Sequence, residues 1–184
     1  MGNDQICTTP NGFNHAMCVF SKTSISTRIC GIPTLDDSGL WLEITVPAHR
    51  LSFGVVHLPT KPPKMKAHLD ALIQIGSLRA ADPFLFVGDF NTGIGPADGP
   101  LKNFGDVDRF AALQGKGFTD AWRHFHADRT EYTYTWPRSG KSYRIDHALA
   151  SPSLLSRIRD CRYSHDERES KTSDHSALLV EIED

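Results

Sequence analysis

The segment from Pro83 to Asn91 constrains the fold of this chain more than any other stretch. It reads PFLFVGDFN, so four consecutive apolar residues lie between a proline and a glycine. Such a run is typical of a short strand that is buried on both faces. Asp89 and Asn91 follow at its C-terminal end, and their spacing directs both side chains to the same side of an extended backbone. Because a buried carboxylate is costly unless it is paired or bound to a metal, this strand end indicates either a functional site or a closing turn.

The composition fits one soluble globular domain that spans residues 1–184. A chain of this length can bury a full core, and 39% of its residues are hydrophobic. No run is long enough to cross a membrane and no secretory signal pattern is visible, so we expect a cytoplasmic protein with no membrane partner. The four cysteines lack metal-ligand spacing and are predicted to be reduced and mostly buried; they are Cys7, Cys18, Cys30 and Cys161.

The charge balance gives no sign of tight binding to long nucleic acids. The net charge is −2, from 20 basic and 22 acidic side chains, whereas a protein that follows the phosphate backbone usually carries a basic excess. Short engagement of a lesion, a strand end or a small phosphoester is compatible with this balance.

Hydrophobic periodicity predicts strands that alternate with helices. The predicted strands cover residues 13–21, 25–32, 40–46, 51–57, 83–89, 132–136, 142–150 and 177–182. Helices are predicted at 64–80, 106–113 and 118–125, and after the Ser151–Pro152 pair as far as Ile158. Strand 51–57, helix 64–80 and strand 83–89 follow one another as in a βαβ crossover. Alternation places Glu43 on the polar face of its strand, so we predict that it is solvated rather than a metal ligand.

Four short motifs occur along the chain. They are VHLP at 56–59, GDFN at 88–91, YRIDH at 143–147 and SDH at 173–175, and TYTW at 133–136 precedes the third. In sequence and order they resemble the motifs of the endonuclease/exonuclease/phosphatase superfamily, which has the deoxyribonuclease I and exonuclease III fold. The resemblance extends from about residue 12 to residue 182. It implies an α/β fold of two packed mixed β-sheets flanked by helices, a four-layer sandwich.

The resemblance implies that His175 and Asp146 activate a water molecule. A carboxylate that accepts a hydrogen bond from one imidazole nitrogen fixes the tautomer and raises the basicity of the other nitrogen. That second nitrogen can take a proton from water, which attacks phosphorus in line with the leaving oxygen. His57 matches the position that contacts the phosphate and protonates the leaving group in the deoxyribonuclease I branch, although the exonuclease III branch carries other residues there. A structural histidine is the alternative for His57.

The same resemblance implies a Mg²⁺ or Mn²⁺ site. Asp89, Asn91 and Asp174 supply hard oxygen ligands, which suit these ions. By resemblance, Asp89 and Asn91 also orient the phosphate and the attacking water, and Asp174 helps to hold the ion. Because Mg²⁺ keeps several waters, a small set of carboxylates is chemically sufficient.

Three side chains near these motifs have two interpretations each. Arg144 lies two residues before Asp146, and an ion pair with this carboxylate is favoured over contact with substrate. Tyr134 and Trp136 are able to stack on a base or a sugar, whereas aromatic residues in strands more often belong to the core.

One part of the family pattern has no counterpart in this chain. The family begins with a strand that bears an asparagine, followed by a helix and a strand that ends in a glutamate, a principal metal ligand. Both lie upstream of the segment matched by residues 13–21, and the first twelve residues contain no such motif. We therefore expect an N-terminally abbreviated fold with weakened metal affinity and an exposed sheet edge. A second copy that covers the edge, a rearranged structure and a longer natural chain are the three alternatives.

The leading functional prediction is metal-dependent phosphodiester hydrolysis by a nuclease of the AP endonuclease and exonuclease III type. DNA is favoured as the substrate because DAWR at 120–123 resembles a stretch of the exonuclease III branch. Hydrolysis of phosphomonoesters or lipid phosphodiesters on the same fold is a second interpretation. A catalytically inactive binding or scaffold protein is a third.

Overall fold

The computed structural model describes residues 4–7, 17–100, 104–127 and 129–184. In chain order its elements are β1 (Asp4–Cys7), β2 (Cys18–Ser21), β3 (Ser26–Arg28), α1 (Pro33–Asp36), β4 (Trp41–Val46), β5 (Leu51–His57), α2 (Pro62–Arg79), β6 (Phe84–Asp89), α3 (Val107–Gln114), β7 (Thr119–Asp120), α4 (Ala121–Phe125), β8 (Tyr134–Thr135), β9 (Ser142–Tyr143), β10 (Asp146–Ala150), α5 (Pro152–Leu155), β11 (Ile158–Ser164), α6 (Asp166–Glu169) and β12 (Ala177–Ile182).

Six strands form the central sheet in the order β3-β4-β5-β6-β10-β7. β5 and β6 are parallel and the other neighbours are antiparallel, so the sheet is mixed. A parallel pair needs a crossover connection, and α2 provides it. The strand, helix and strand predicted at 51–57, 64–80 and 83–89 are thus confirmed as β5, α2 and β6.

One face of the central sheet packs against α2 and α3. Trp41, Phe84 and Phe86 of the sheet share one buried apolar cluster with Leu69 and Leu72 of α2. The rings of Phe84 and Phe86 meet edge to face with centroids 4.9 Å apart, an arrangement that aromatic pairs favour. The apolar residues of α2 recur at helical spacing, so the helix turns one stripe toward this cluster.

The opposite face of the sheet carries two separate two-stranded ribbons. The β1–β2 ribbon packs over Leu42 and Ile44 of β4, and the β11–β12 ribbon packs over Ala148 and Ala150 of β10. Phe53 of β5 lies between them and is partly buried against both clusters. The molecule is therefore an α/β fold of packed mixed and antiparallel sheets with helices, and its second layer is divided into two ribbons.

Four predicted elements differ from the observed ones. The strand predicted at 142–150 is divided into β9 and β10, which are separated by residues 144–145. The helix predicted after Ser151 ends at Leu155, and Ile158 instead begins β11, where it is buried against the sheet. Segment 118–125 begins with β7, which pairs with β10, before α4 starts. Both strands depend on partners distant in sequence, which local periodicity does not reveal. The strand predicted at 25–32 is only β3, because Pro33 opens α1, and residues 13–16 of the first predicted strand lie outside the described residues.

The cysteines are not all free. Cys7 and Cys18 are exposed, lie opposite each other in the register of β1 and β2, and form a disulfide. The prediction of reduced, mostly buried thiols was wrong for this pair, because the pairing depends on strand register rather than on cysteine spacing. Cys30 and Cys161 are free thiols, and burial raises their pKa to about 11 and about 12.

No helix within the described ranges is long and apolar enough to cross a membrane. The cytoplasmic location stays a prediction.

Glu43 is buried and not solvated, so the prediction from alternation was wrong. Its side chain is 1% exposed and accepts a hydrogen bond from Nε of Arg79 at 3.0 Å. The face of β4 that alternation marks as polar is covered by the C-terminal turn of α2, which ends at Arg79. Burial raises the pKa of the Glu43 carboxyl, and the positive charge of Arg79 opposes that shift.

Candidate active site

Three neighbouring strands bring polar side chains together at one edge of the central sheet. His57 at the end of β5 is the register partner of Asp89 at the end of β6, and Asp89 is the partner of Asp146 at the start of β10. Because side chains alternate along a strand, Asp89 and Asp146 face the side of the sheet that carries the ribbons. The fold therefore assembles three of the predicted catalytic residues from three separate motifs.

His175 joins this group from the segment that leads into β12. Its Nδ1 lies 2.9 Å from Oδ2 and 3.2 Å from Oδ1 of Asp146, so Nδ1–H donates to the carboxylate and Nε2 is the nitrogen left to act as a base. The Tyr134 ring lies against the imidazole with centroids 4.7 Å apart. Burial lowers the pKa of His175, but the hydrogen bond and negative charge of Asp146 outweigh it and raise that pKa above its ordinary value.

Asp89 and Asn91 form a second pair beside the first. The backbone N–H of Asn91 donates to Oδ1 of Asp89 at 2.8 Å, and the Asn91 Nδ2 donates to Oδ2 at 3.0 Å and to the carbonyl of Leu58 at 2.7 Å. Asn91 has φ of 50°, a left-handed conformation that asparagine tolerates better than most residues. These contacts fix the orientation of the amide and of the carboxylate together.

Gly88 allows β6 to lie close to β5 just before the Asp89–Asn91 pair. Its φ is +136°, and a Cβ at this position would lie 2.1 Å from the carbonyl oxygen of Val56. Only glycine fits here without displacing β5 from β6.

The site carries more negative than positive charge. Burial and, to a smaller extent, the neighbouring charge of Asp146 raise the pKa of Asp89 to about 7, against the opposing effect of the hydrogen bonds from Asn91. The imidazole of His57 also lies near this carboxylate, with its Nε2 3.7 Å from Oδ2 of Asp89. A buried carboxylate in this state gains from a bound cation.

Asp174, the other predicted metal ligand, is exposed and immediately precedes His175. Its charge acts on both His175 and Tyr134, which places it near the pair but at the rim of the site. Within the described ranges, no three or more His, Cys, Asp or Glu side chains form a group arranged to hold a metal. The donor chemistry of Asp89, Asn91 and Asp174 nonetheless suits Mg²⁺, which needs few protein ligands because it retains waters.

An open cavity of about 460 Å³ adjoins the polar group. Its lining includes Asn91 and the aromatic residues Phe104, Tyr134, Trp136 and Tyr143. The Trp136 side chain is 46% exposed, so this ring does not belong to the core. Of the two interpretations of Tyr134 and Trp136, the structure favours a wall of the site, at a place where a base or sugar could stack.

Arg144 does not pair with Asp146, so that prediction was wrong. Its side chain is 2% exposed and binds Asp98 and Asp120, each at 2.8 Å. Asp120 also contacts Nδ1 of the buried His147 at 3.0 Å. Sequence reasoning missed Asp98 because its partners are far away along the chain and no local motif marks it.

The Endonuclease/Exonuclease/phosphatase family model matches residues 5–175 of this chain. The chain therefore belongs to the endonuclease/exonuclease/phosphatase family, and its relatives there are hydrolases that act on phosphoester bonds.

Several solved structures have a fold similar to that of this chain. The 3′ phosphatase NExo from Neisseria, bound to a product DNA hairpin, is 21% identical with a TM-score of 0.83, covering 99% of this chain and 80% of its own. An AP endonuclease from Archaeoglobus fulgidus is 20% identical with a TM-score of 0.81, covering 100% of this chain and 80% of its own. The 3′-5′ exonuclease NExo from Neisseria meningitidis is 20% identical with a TM-score of 0.81, covering 99% and 80%. At these identities the likeness shows the fold.

Proposed function

We propose that this protein is a Mg²⁺- or Mn²⁺-dependent phosphodiester hydrolase that acts on DNA as a nuclease of the AP endonuclease and exonuclease III type. The observation that carries the proposal is the hydrogen bond between His175 and Asp146 beside the partly buried carboxylate of Asp89. A base with a fixed tautomer next to a cation-binding carboxylate is the arrangement that in-line attack of water on phosphorus requires.

In this mechanism, Nε2 of His175 takes a proton from a water molecule, and the water oxygen forms the new bond to phosphorus. Asp146 holds the imidazole in place and stabilises the imidazolium that results. The bond from phosphorus to the leaving oxygen breaks, and His57, which lies beside Asp89, contacts the phosphate and donates its own proton to that oxygen. Asp89 and Asn91 position the phosphate and the water. Asp89, Asn91 and Asp174 would hold a divalent ion, and such an ion would supply positive charge to neutralise the phosphate and the leaving oxygen.

DNA is the proposed substrate because of the aromatic cavity beside the polar group. Tyr134 and Trp136 offer rings on which an unstacked base or sugar packs, each contact being worth about 1–3 kcal/mol. The neighbours named as a 3′ phosphatase bound to a DNA hairpin and as an AP endonuclease agree with this choice. The DAWR segment supports it less, because Asp120 caps α4 and Trp122 is fully buried, so both serve the fold.

A second copy of the chain is the proposed partner for the divided second layer. Among the described residues, β12 pairs only with β11, so its other edge is open. Leu179 in β12 is 40% exposed, and an exposed strand edge with apolar side chains favours pairing with another chain.

The test of the proposed function is hydrolysis of a fluorescent duplex that contains one abasic site, with Mg²⁺, Mn²⁺ or EDTA. We expect cleavage that EDTA abolishes and that both His175→Ala and Asp89→Ala reduce by at least about 100-fold. His124→Ala serves as the matched control, because this exposed histidine contacts Phe125 on the surface.

Two outcomes would redirect the proposal. Cleavage of small phosphomonoesters or lipid phosphodiesters with no cleavage of abasic or nicked DNA would indicate another substrate on the same fold. A binding or scaffold protein would be indicated if the folded chain hydrolyses none of these substrates and calorimetry detects no Mn²⁺ site that depends on Asp174. The Asp174→Ala variant tests that dependence.

A further inference from the structure

Asp98 lies in the loop between β6 and α3, and its carboxylate is almost fully enclosed. Its side chain is 2% exposed. Oδ1 accepts hydrogen bonds from Arg144 Nε at 2.8 Å and from Arg123 Nη2 at 2.6 Å, and Oδ2 accepts one from the backbone N–H of Ile94 at 2.8 Å. One carboxylate thus joins its own loop to α4 and to the segment before β10.

Arg144 continues the connection toward the catalytic pair. Its Nη1 lies 3.4 Å from the Tyr163 hydroxyl, and that hydroxyl donates to the backbone carbonyl of Asp146 at 2.7 Å. Asp98, Arg144 and Tyr163 therefore form a buried hydrogen-bond network. At one end of this network, the Tyr163 hydroxyl binds the backbone carbonyl of Asp146, the residue that holds His175. At the other end, Asp98 belongs to the loop that begins after Asn91.

The backbone segments that carry Asp98 and Arg144 are also in direct contact. The Arg144 N–H donates to the Asp98 carbonyl at 2.8 Å. A Cβ on Gly93 would lie 2.8 Å from Cβ of Asp98 and 3.1 Å from the Arg144 carbonyl oxygen. The loop lies directly on the segment that leads into β10, so a shift of one displaces the other.

None of the side chains in this hydrogen-bond network lines the cavity described above. The network nonetheless ends at the backbone of Asp146 on one side and at the loop after Asn91 on the other. Buried carboxylate–guanidinium groups contribute little net stability relative to apolar packing, whereas they specify geometry well because each donor and acceptor has a fixed direction. Hydrolysis requires the water-positioning pair and the base pair to be held together within about 0.5 Å.

We propose that Asp98 is a positioning residue that fixes, through Arg144 and Tyr163, the spacing between the Asp89–Asn91 pair and the Asp146–His175 pair. This inference rests on the proposed hydrolytic function and names a residue through which that function is controlled. Asp98 acts on the reaction only through these neighbours.

The test is a double-mutant cycle of Asp98→Asn and Tyr163→Phe, assayed on the abasic duplex at saturating substrate. Asp98→Asn keeps the shape of the side chain and removes one of the two carboxylate charges that hold Arg144, the other being that of Asp120. Tyr163→Phe removes only the hydroxyl that links Arg144 to Asp146. We expect each variant to lower kcat by about 10- to 100-fold with KM changed by less than about threefold. Because both substitutions act through the same hydrogen-bond network, the double variant is expected to lose much less kcat than the product of the two single losses.

Glu43→Gln is the matched control for stability. Glu43 is also a buried carboxylate bound to an arginine, but it lies on the other face of the sheet at the end of α2. We expect it to lower the midpoint of thermal unfolding as Asp98→Asn does, and to leave kcat per folded molecule unchanged.

Several results would overturn the proposal: a wild-type kcat per folded molecule in Asp98→Asn, an equal loss in Glu43→Gln, or independent effects that multiply in the cycle. A crystal structure of Asp98→Asn supplies a readout that does not depend on activity. A displacement of Asp146 relative to Asn91 of at least about 0.5 Å supports positioning, and unchanged geometry contradicts it. If the wild type hydrolyses nothing, the proposed function fails, and this structural comparison still decides whether Asp98 sets the spacing.

Discussion

At the scale of single residues, Asp146 sets the charge state in which His175 can act. In the proposed mechanism a neutral imidazole takes the proton, so we expect kcat/KM to fall when the pH drops below the pKa of His175. The hydrogen bond and charge of Asp146 raise that pKa above 6.5 despite burial. We expect Asp146→Asn to move the acidic limb of the pH profile to lower pH and to reduce kcat by about 10²- to 10⁴-fold. A pH–rate profile from pH 5 to 9 measures both, and an acidic limb that stays in place would contradict the assigned pair.

The backbone at Gly88 is a second residue-scale feature with a measurable effect. Gly88→Ala places a Cβ 2.1 Å from the Val56 carbonyl at a φ of +136°, so β5 and β6 must separate. We expect a loss of about 3 kcal/mol or more in the free energy of unfolding, since strain and displacement add. Gly95→Ala is the matched control, because it has φ of +71° with open space around it and bears only the conformational cost. Urea denaturation compares them, and equal losses would show that the contact with Val56 is unimportant.

The site residues that sequence predicted are those that lie inside contiguous motifs. Asp89, Asn91, Asp146 and His175 each stand in a recognisable short string, and the structure brings the two pairs together at one sheet edge. Asp98 stands in a loop without such a string, and its partners are set by tertiary contacts. Its environment was therefore not predictable from local pattern.

At the scale of elements, α4 and β10 are held together by a buried charge at Asp120. Burial alone raises the pKa of Asp120, but the hydrogen bond from His147 and the charge of Arg144 outweigh it and hold that pKa well below its ordinary 3.8. A depressed folded-state pKa stabilises the protein above the unfolded-state pKa of about 3.9 and loses that contribution as pH falls toward the folded-state value.

We therefore expect Asp120→Asn to destabilise the protein by about 3–5 kcal/mol at pH 7 and by progressively less below about pH 4. Chemical denaturation at pH 7, 5, 4 and 3 measures the difference. Asp70→Asn is the control, because that carboxylate also has a lowered pKa but is 41% exposed and screened by solvent. If Asp120→Asn lowers the free energy of unfolding by the same amount from pH 7 to pH 3, the assignment of a buried negative charge to Asp120 is contradicted.

The elements that sequence predicted well are those that local pattern determines. The β5-α2-β6 unit carries its own periodicity and its own proline boundaries, so its limits agree with prediction to within about two residues. β7 and β11 were missed because each exists through pairing with a strand distant in sequence, at Leu149↔Asp120 and Cys161↔Val180. Glu43 was misread because the helix that covers it was not placeable from alternation alone.

At the scale of the whole molecule, the two faces of the central sheet are covered unequally. The α2 face forms one continuous buried cluster, whereas the ribbon face is covered by two ribbons that form no common sheet within the described part of the chain. Val55 and Val87, like Phe53, are only partly buried between or beside these ribbons. Apolar surface next to an open strand edge is the feature that another chain most readily covers.

The proposed pairing of two copies through β12 predicts concentration-dependent dimerisation. An antiparallel pairing of two β12 strands about a two-fold axis that is perpendicular to them and passes near Leu179 sets Leu179 of each copy near the other. Leu179→Glu then introduces like charges across the interface and opposes association. Leu78→Glu is the matched control, since Leu78 is 64% exposed on α2, away from this edge. Sedimentation velocity between about 1 and 100 μM, a range that spans typical weak association, is expected to show a dimer that Leu179→Glu dissociates and Leu78→Glu leaves intact. A monomer throughout that range would show that the open edge of β12 does not recruit a second copy, and equal dissociation by both variants would place the contact elsewhere.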